Sequence, residues 1–187
     1  MQESIRQAAD LIIACFQQGG KLLVCGNGGS AADSAHITGE LVKGFCKKRP
    51  LSPEIKASIG EAWADLLQQG LPVIDLTANT ALISAVANDQ DAALAYAQQV
   101  TAYGRKGDIL LGISTSGNAE NVRRALICAK ALGMTTIGMT GQRGGKMNDI
   151  CDLMLRVPET ETYKVQEMHL PLYHRICLTV EDAFFDQ

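Results

Sequence analysis

The sequence predicts an α/β fold: a parallel sheet covered by helices on both faces. Two observations predict it. Five short apolar runs, at 21–25, 72–76, 108–113, 135–139 and 153–157, lack the alternation of a half-exposed strand and read as strands buried on both sides. Between them the apolar spacing changes to the helical period. Strand–helix alternation of this kind joins parallel strands through helical crossovers. Ligands of such sheets gather beyond the carboxyl ends of the strands, where this chain carries its Ser-, Thr- and Gly-rich loops.

The elements follow in order. A helix over 3–17 places Ile5, Ala9, Ile12, Ile13 and Phe16 on one face and stops at Gly19-Gly20. After the first strand, Gly26-Asn27-Gly28-Gly29-Ser30 opens a helix over 30–45. The segment 52–70 predicts one further helix, with Ile55, Ile59, Trp63, Leu66 and Leu67 on a face. Helical patterns at 81–87 and 92–105 follow the second strand, one at 121–132 the third, and a short one at 146–151 the fourth. The last helix spans 163–185, and Pro171 predicts a kink or interruption in it. No linker or low-complexity stretch divides the chain, so 1–187 reads as a single domain.

Composition narrows the function. The formal net charge is −3, and no basic block exceeds Lys47-Lys48-Arg49, which argues against a nucleic-acid ligand. The apolar runs are too short to span a bilayer, and the first six residues lack the apolar core of a signal peptide. The six cysteines form no C-x-x-C pair and mostly sit inside apolar runs; they read as buried, reduced thiols of a cytoplasmic protein.

The most informative loop is Gly112-Ile113-Ser114-Thr115-Ser116-Gly117-Asn118, between a strand and a helix start. Three consecutive hydroxyls, free backbone N–H groups and a positive dipole end suit a phosphate. The lysine of a P-loop is missing, so the reading is a phosphorylated small molecule and no nucleotide cofactor. Gly26–Ser30 adds close backbone approach, with Ser30 either capping its helix or touching the anion. The segment 140–146 supplies more donors or is a surface turn, and Asn88-Asp89 is by itself a turn or cap.

Few titratable groups accompany these loops. His36 and Glu40 share a helix face one turn beyond the glycines, as a functional pair or a solvated i,i+4 contact. Gln166, Glu167, His169 and His174 crowd the start of the last helix. Gln166 and His174 lie within about 80° around an ideal helix, a spacing that permits a shared site, and His169 is as close in angle to Gln166.

Taken in order, Cys25–Ser30, Asp33 with His36 and Glu40-Leu41, Arg49-Pro50, Ala87-Asn88-Asp89, 107–118, Thr140-Gly141 with 144–147, Arg156-Val157-Pro158 and 165–169 resemble the sugar isomerase (SIS) domain proteins. Within that group they resemble the phosphoheptose isomerases, which interconvert sedoheptulose 7-phosphate and D-glycero-D-manno-heptose 7-phosphate. The resemblance implies a three-layer α/β/α sandwich with a five-stranded, flavodoxin-like parallel sheet, and a homotetramer with sites at subunit interfaces. It implies a phosphate cradle of Ser30, Ser114, Thr115 and Ser116, with Asn27, Gly28, Gly29, Asn88, Asp89, Asn118 and Gln166 also facing substrate. Glu40 takes the position of the family's catalytic base and His174 that of its acid–base partner. Some members hold zinc, whose ligands fall on His36, Glu40, Gln166 and His174. Heptose for surface polysaccharide is the expected product.

The chain departs from the branch at Lys43-Gly44, where Gly-Arg is usual, at Ala119, where a third serine stands, and around Thr162-Tyr163, where an acidic residue precedes the glutamine. The segment 52–70 is extra, and the first helix is short. Two alternatives follow: a non-catalytic SIS protein binding a phosphosugar or a replication initiator, and an isomerase of another phosphosugar.

Overall fold

The computed structural model describes residues 2–185. Helix α1 (Gln2–Gln17) leads to β1 (Leu22–Cys25), α2 (Gly29–Val42) and α3 (Pro53–Ile59), followed by β2 (Val73–Asp75) and α4 (Thr80–Val86). A π turn (Ala87–Asp91) and a 3₁₀ turn (Ala92–Leu94) join α4 to α5 (Ala95–Tyr103). Then come β3 (Ile109–Ile113), α6 (Glu120–Ala131), β4 (Thr135–Thr140), β5 (Leu153–Arg156) and α7 (Thr162–Phe185).

All five strands are parallel, in the order β2-β1-β3-β4-β5. The flavodoxin-like expectation is met. β1 and β3 are buried along their whole length, which is why their sequences do not alternate. Their successive side chains feed two cores. Leu22, Val24, Ile109 and Leu111 pack with α1, α2 and α7 on one face, whereas Leu23, Cys25 and Leu110 pack with α5 and α6 on the other. The chain turns in opposite directions from β1 to its neighbours β2 and β3. That reversal leaves a crevice beyond the carboxyl ends of β1 and β3, where Gly26–Ser30 and 114–118 both emerge.

Three expectations need correction. The segment 52–70 is not one helix. Ser52 caps α3, Gly60 ends it in the left-handed region, and the chain continues as a 3₁₀ turn (Ala62–Leu66). Ala64 is its one buried residue, and Trp63 and Leu66 stand 52% and 82% exposed. The apolar spacing continues through a glycine that reverses the backbone. Secondly, Pro171 neither ends nor divides α7, which runs unbroken for 24 residues. The carbonyl freed by the missing N–H is that of Glu167, and both residues are exposed, so water can satisfy it. Thirdly, Cys15, Cys25 and Cys177 are buried but Cys46 is exposed; all six are free thiols. No helix among the described residues is long and apolar enough to cross a membrane.

Candidate active site

The crevice holds a cavity of about 180 Å³ whose polar walls include Asn27, Ser30, Ser114, Thr115, Ser116 and Gln166. Helix α2 starts beside it with Gly28 as N-cap and no side-chain cap bond. Ser30, the second helical residue, is therefore not a cap; its buried hydroxyl faces the cavity. Helix α6 also starts there without a side-chain cap, because Ala119, the position of the missing serine, is its N-cap. At α2 the Ser30 and Ala31 N–H groups are taken by the Asn27 and Gly28 carbonyls, and at α6 the Val122 N–H by Asn121 Oδ1, so the positive ends of the two helices and their remaining first N–H groups are what favour an anion here.

The hydroxyls complete it. Ser114 Oγ accepts from the Ala119 N–H at 3.4 Å, and Ser116 Oγ accepts from the Asn118 N–H at 3.2 Å. Each keeps its own proton to donate inward. Asn118 is spent on structure, accepting from the Lys146 N–H and donating to the Ser116 carbonyl. Across the mouth, Asn27 and Asn121 exchange reciprocal 2.8 Å amide bonds that tie the glycine loop to α6. Gln166 is brought in by α7 and lies flat on Gly29, where a Cβ would collide with its amide. Asn88 and Asp89 bond each other on the exposed π turn and do not line this cavity.

Gly117 is what lets the serine loop close. Its φ is +68°, and a Cβ there would overlap the Gly144 carbonyl. Gly117→Ala is expected to cost at least about 1–3 kcal/mol in urea unfolding and to abolish the gain in melting temperature produced by a bound sugar phosphate. An unchanged ligand-induced shift would contradict the cradle.

The titratable groups lie further along the groove between α2 and α7. Gln166 touches Gly29, Tyr173 touches Asp33 and His36, and Glu181 touches the segment 45–49. The two helices thus run side by side in the same direction. His36 Nε2 is 3.0 Å from Glu40 Oε1, and its Nδ1 is 2.8 Å from the Tyr173 hydroxyl. The His174 ring stands edge-on to His36, centroids 5.0 Å apart, with its Nε2 buried and unpartnered. Burial pushes the Asp33 carboxyl up, outweighing the hydrogen bond it accepts from the Tyr173 hydroxyl.

Glu40 and His174 therefore meet one cluster through His36, whereas Gln166 belongs to the cradle. Seven residues separate Gly29 from His36, about 10 Å along the helix axis. Within one chain the quartet His36, Glu40, Gln166 and His174 does not close into a zinc shell, and the described residues contain no group of three His, Cys, Asp or Glu side chains able to hold a metal. Three participants escaped the sequence reading: Tyr173, Asn121 and Glu181. A heptad signal existed for two of them, since Tyr173 lies seven residues after Gln166 and Glu181 seven after His174, each within about 20° of the same face.

Beneath the cluster, Arg49 is fully buried. It donates from Nη1 to the Leu41 carbonyl at 2.7 Å, from Nη2 to the Glu40 carbonyl at 3.0 Å and from Nε to Glu181 Oε1 at 2.9 Å. Glu181 also accepts the Phe45 and Cys46 N–H groups. The carboxyl end of α2 is thereby tied to α7.

Comparison with known proteins agrees with this geometry. The SIS domain family matches residues 1–141. The phosphoheptose isomerase of Burkholderia pseudomallei (strain 1710b) is 44% identical over 182 residues, 97% of this chain and 83% of that protein. Among solved structures, the phosphoheptose isomerase of Neisseria gonorrhoeae superposes with a TM-score of 0.81 at 35% identity, over 96% of this chain and 86% of the other. That of Francisella tularensis gives 0.82 at 35% identity, with the same coverage.

Proposed function

This chain belongs to the SIS domain family, in its phosphoheptose isomerase branch, and we propose that it converts sedoheptulose 7-phosphate into D-glycero-D-manno-heptose 7-phosphate. The observation that carries this reading is the α2–α7 groove. An anion cradle occupies one end; the His36 imidazole, with the His174 ring against it, lies about 10 Å further on, and the Glu40 carboxylate about one helical turn beyond His36. A phosphorylated sugar in open-chain form has its phosphate and its carbonyl separated in the same manner.

In this reading the phosphoryl group sits on Ser30, Ser114, Thr115 and Ser116 and the open N–H groups of α2 and α6. Glu40 takes a proton from C1 of the ketose, and the electron pair of that bond forms the C1=C2 double bond of an enediol as O2 gains a proton. His174 moves protons between O2 and O1, a task suited to the one side chain that titrates near neutral pH unperturbed. Glu40, its proton exchanging with solvent while the enediol is bound, then protonates C2, and loss of the O1 proton leaves the C1 aldehyde. Asn27 and Gln166 orient the chain of carbons between the two ends.

A homotetramer with sites between subunits, a cytoplasmic location and heptose supply for surface polysaccharide complete the proposal. Zinc enters it only through assembly, because the quartet His36, Glu40, Gln166 and His174 needs a second copy of the chain to close. Asn88 and Asp89, exposed in one chain, are proposed as substrate contacts on the same basis.

The test is conversion of sedoheptulose 7-phosphate in D₂O, with chelator, with added zinc and with neither. The expected result is aldoheptose 7-phosphate carrying solvent deuterium at C2. Absence of exchange into this and any other C5–C7 ketose phosphate, in all three arms, would remove the enzyme from consideration. Turnover lost to chelator and restored by zinc would assign metal to the assembled site.

A further inference from the structure

We infer that Tyr96 is a positioning residue for the phosphoryl group: its hydroxyl anchors the Gly26 carbonyl and so sets the place of Ser30 in the cradle. The inference rests on the reading of that cavity as a phosphate site and on nothing further along the groove. Tyr96 belongs to α5 and is 6% exposed, its ring packed in the core with Leu23, Cys25, Leu76 and Val100. Its O–H donates to the Gly26 carbonyl at 2.6 Å. Asn27 Oδ1, at 3.3 Å, is a more distant acceptor for the same single proton. Burial pushes the phenol up to about 12, so the hydroxyl keeps that proton near neutral pH.

The geometry of β1 explains why a side chain is needed here. Carbonyls along a parallel strand point alternately to its two neighbours, and that of Val24 accepts the Leu76 N–H on the β2 side. Gly26, two residues on, faces the same side, but β2 ends at Asp75, opposite Val24. Ala78, which would continue the ladder, turns its N–H to the Asp75 carbonyl instead. Gly26 is buried, so its carbonyl needs a donor from within the protein, and the Tyr96 hydroxyl supplies it. What the anchored residue holds is Ser30. A Cβ on Gly26 would collide with the carbonyl and the Cβ of Ser30, so the two residues lie in direct contact. The Ser30 N–H in turn bonds the Asn27 carbonyl. Without the hydroxyl the turn shifts to give the Gly26 carbonyl another partner, and it carries the Ser30 hydroxyl away from Ser114 and Ser116.

Tyr96→Phe removes the hydroxyl and leaves the ring in the core. Calorimetry with a reduced sugar 7-phosphate should show Kd raised about 3- to 10-fold, the worth of one neutral hydrogen bond. Turnover should show the same rise in KM, with kcat within about twofold. In a Ser30→Ala background the substitution should change Kd by less than about twofold, because Tyr96 acts through Ser30. Gln99→Met is the control for a merely loosened α5: Gln99 is also buried, and its amide donates to the Leu76 carbonyl at 2.8 Å. It should lower the melting temperature at least as much as Tyr96→Phe and leave Kd unchanged. A wild-type Kd in Tyr96→Phe, equal losses with and without the Ser30 hydroxyl, a fall in kcat alone, or an equal rise in Kd in Gln99→Met would each overturn the inference. A Tyr96→Phe chain that does not fold would do so too, by assigning the hydroxyl to the fold. A wild-type protein that binds neither the reduced sugar phosphate nor inorganic phosphate would remove the cradle itself, and this inference with it, so the two failures are told apart.

Discussion

Glu40→Gln is expected to lower kcat on sedoheptulose 7-phosphate by about 10²–10⁴-fold, the range that a positioned general base contributes. The substitution is nearly isosteric, and the amide oxygen can still accept from His36 Nε2–H, so the hydrogen bond at 3.0 Å survives in kind. What disappears is the ability to carry a proton between C1 and C2. The fold should not suffer, because Arg49 grips the backbone carbonyl of residue 40 and not its side chain. Binding of a reduced sugar 7-phosphate, which has the phosphate and no carbonyl, should stay within about twofold by calorimetry, since Glu40 lies about 16 Å along α2 from Gly29 at the cradle. Solvent deuterium exchange should fall with kcat. A variant that keeps a tenth or more of wild-type turnover would move the base to another residue. Equal loss of turnover and of ligand binding would mean that Glu40 supports the site's structure and not its chemistry. A non-catalytic binding protein would be indifferent to the change.

The features legible in the sequence were those written locally. β1 and β3 announced themselves because both of their faces are buried, and the serine loop did so because its hydroxyls are consecutive. Glu40 and His36 could be paired because one turn of helix separates them. The break at Gly60 was hidden, since apolar spacing carries no sign of a left-handed residue. The role of Ser30 was ambiguous for a related reason: sequence does not say which residue of a glycine-rich turn becomes the N-cap, and here it is Gly28. Tyr173 was missed because its partners are 137 and 140 residues away, on a helix whose register against α7 no local pattern encodes. A resemblance could supply Gln166 and His174 as members of one metal set. The single chain, though, puts them two turns apart along α7, and only the coordinates of α2 reveal that each faces a different part of the groove.

Arg49→Met is expected to destabilise the protein by about 3–5 kcal/mol in urea unfolding, because it leaves Glu181 as a buried charge without its cation. Many buried ion pairs tolerate joint replacement by apolar residues, but this one should not. Arg49 also satisfies the Leu41 and Glu40 carbonyls at the open end of α2, and Glu181 satisfies the Phe45 and Cys46 N–H groups. An Arg49→Met, Glu181→Leu double variant would orphan all four backbone groups, so it should be no more stable than either single variant. The Arg49 guanidinium also lies 4.7 Å from the Phe185 ring centroid, adding packing that Met only partly restores. The pH dependence has a definite sign. Burial pushes the Glu181 carboxyl up, but the Cys46 and Phe45 N–H groups, the Arg49 guanidinium and the Lys47 N–H outweigh it and hold the carboxyl below the usual glutamate range. A depressed folded pKa gives stability that is present above the unfolded value and lost as pH falls through the folded one. Glu181→Gln should therefore be less stable than wild type near neutrality and lose less on acidification. Since α7 carries both Glu181 and His174, and α2 carries Glu40, slackening this tie should reduce kcat as well as stability. A double variant as stable as wild type, or Arg49→Met within about 1 kcal/mol of it, would show that the two helices keep their register by apolar packing alone.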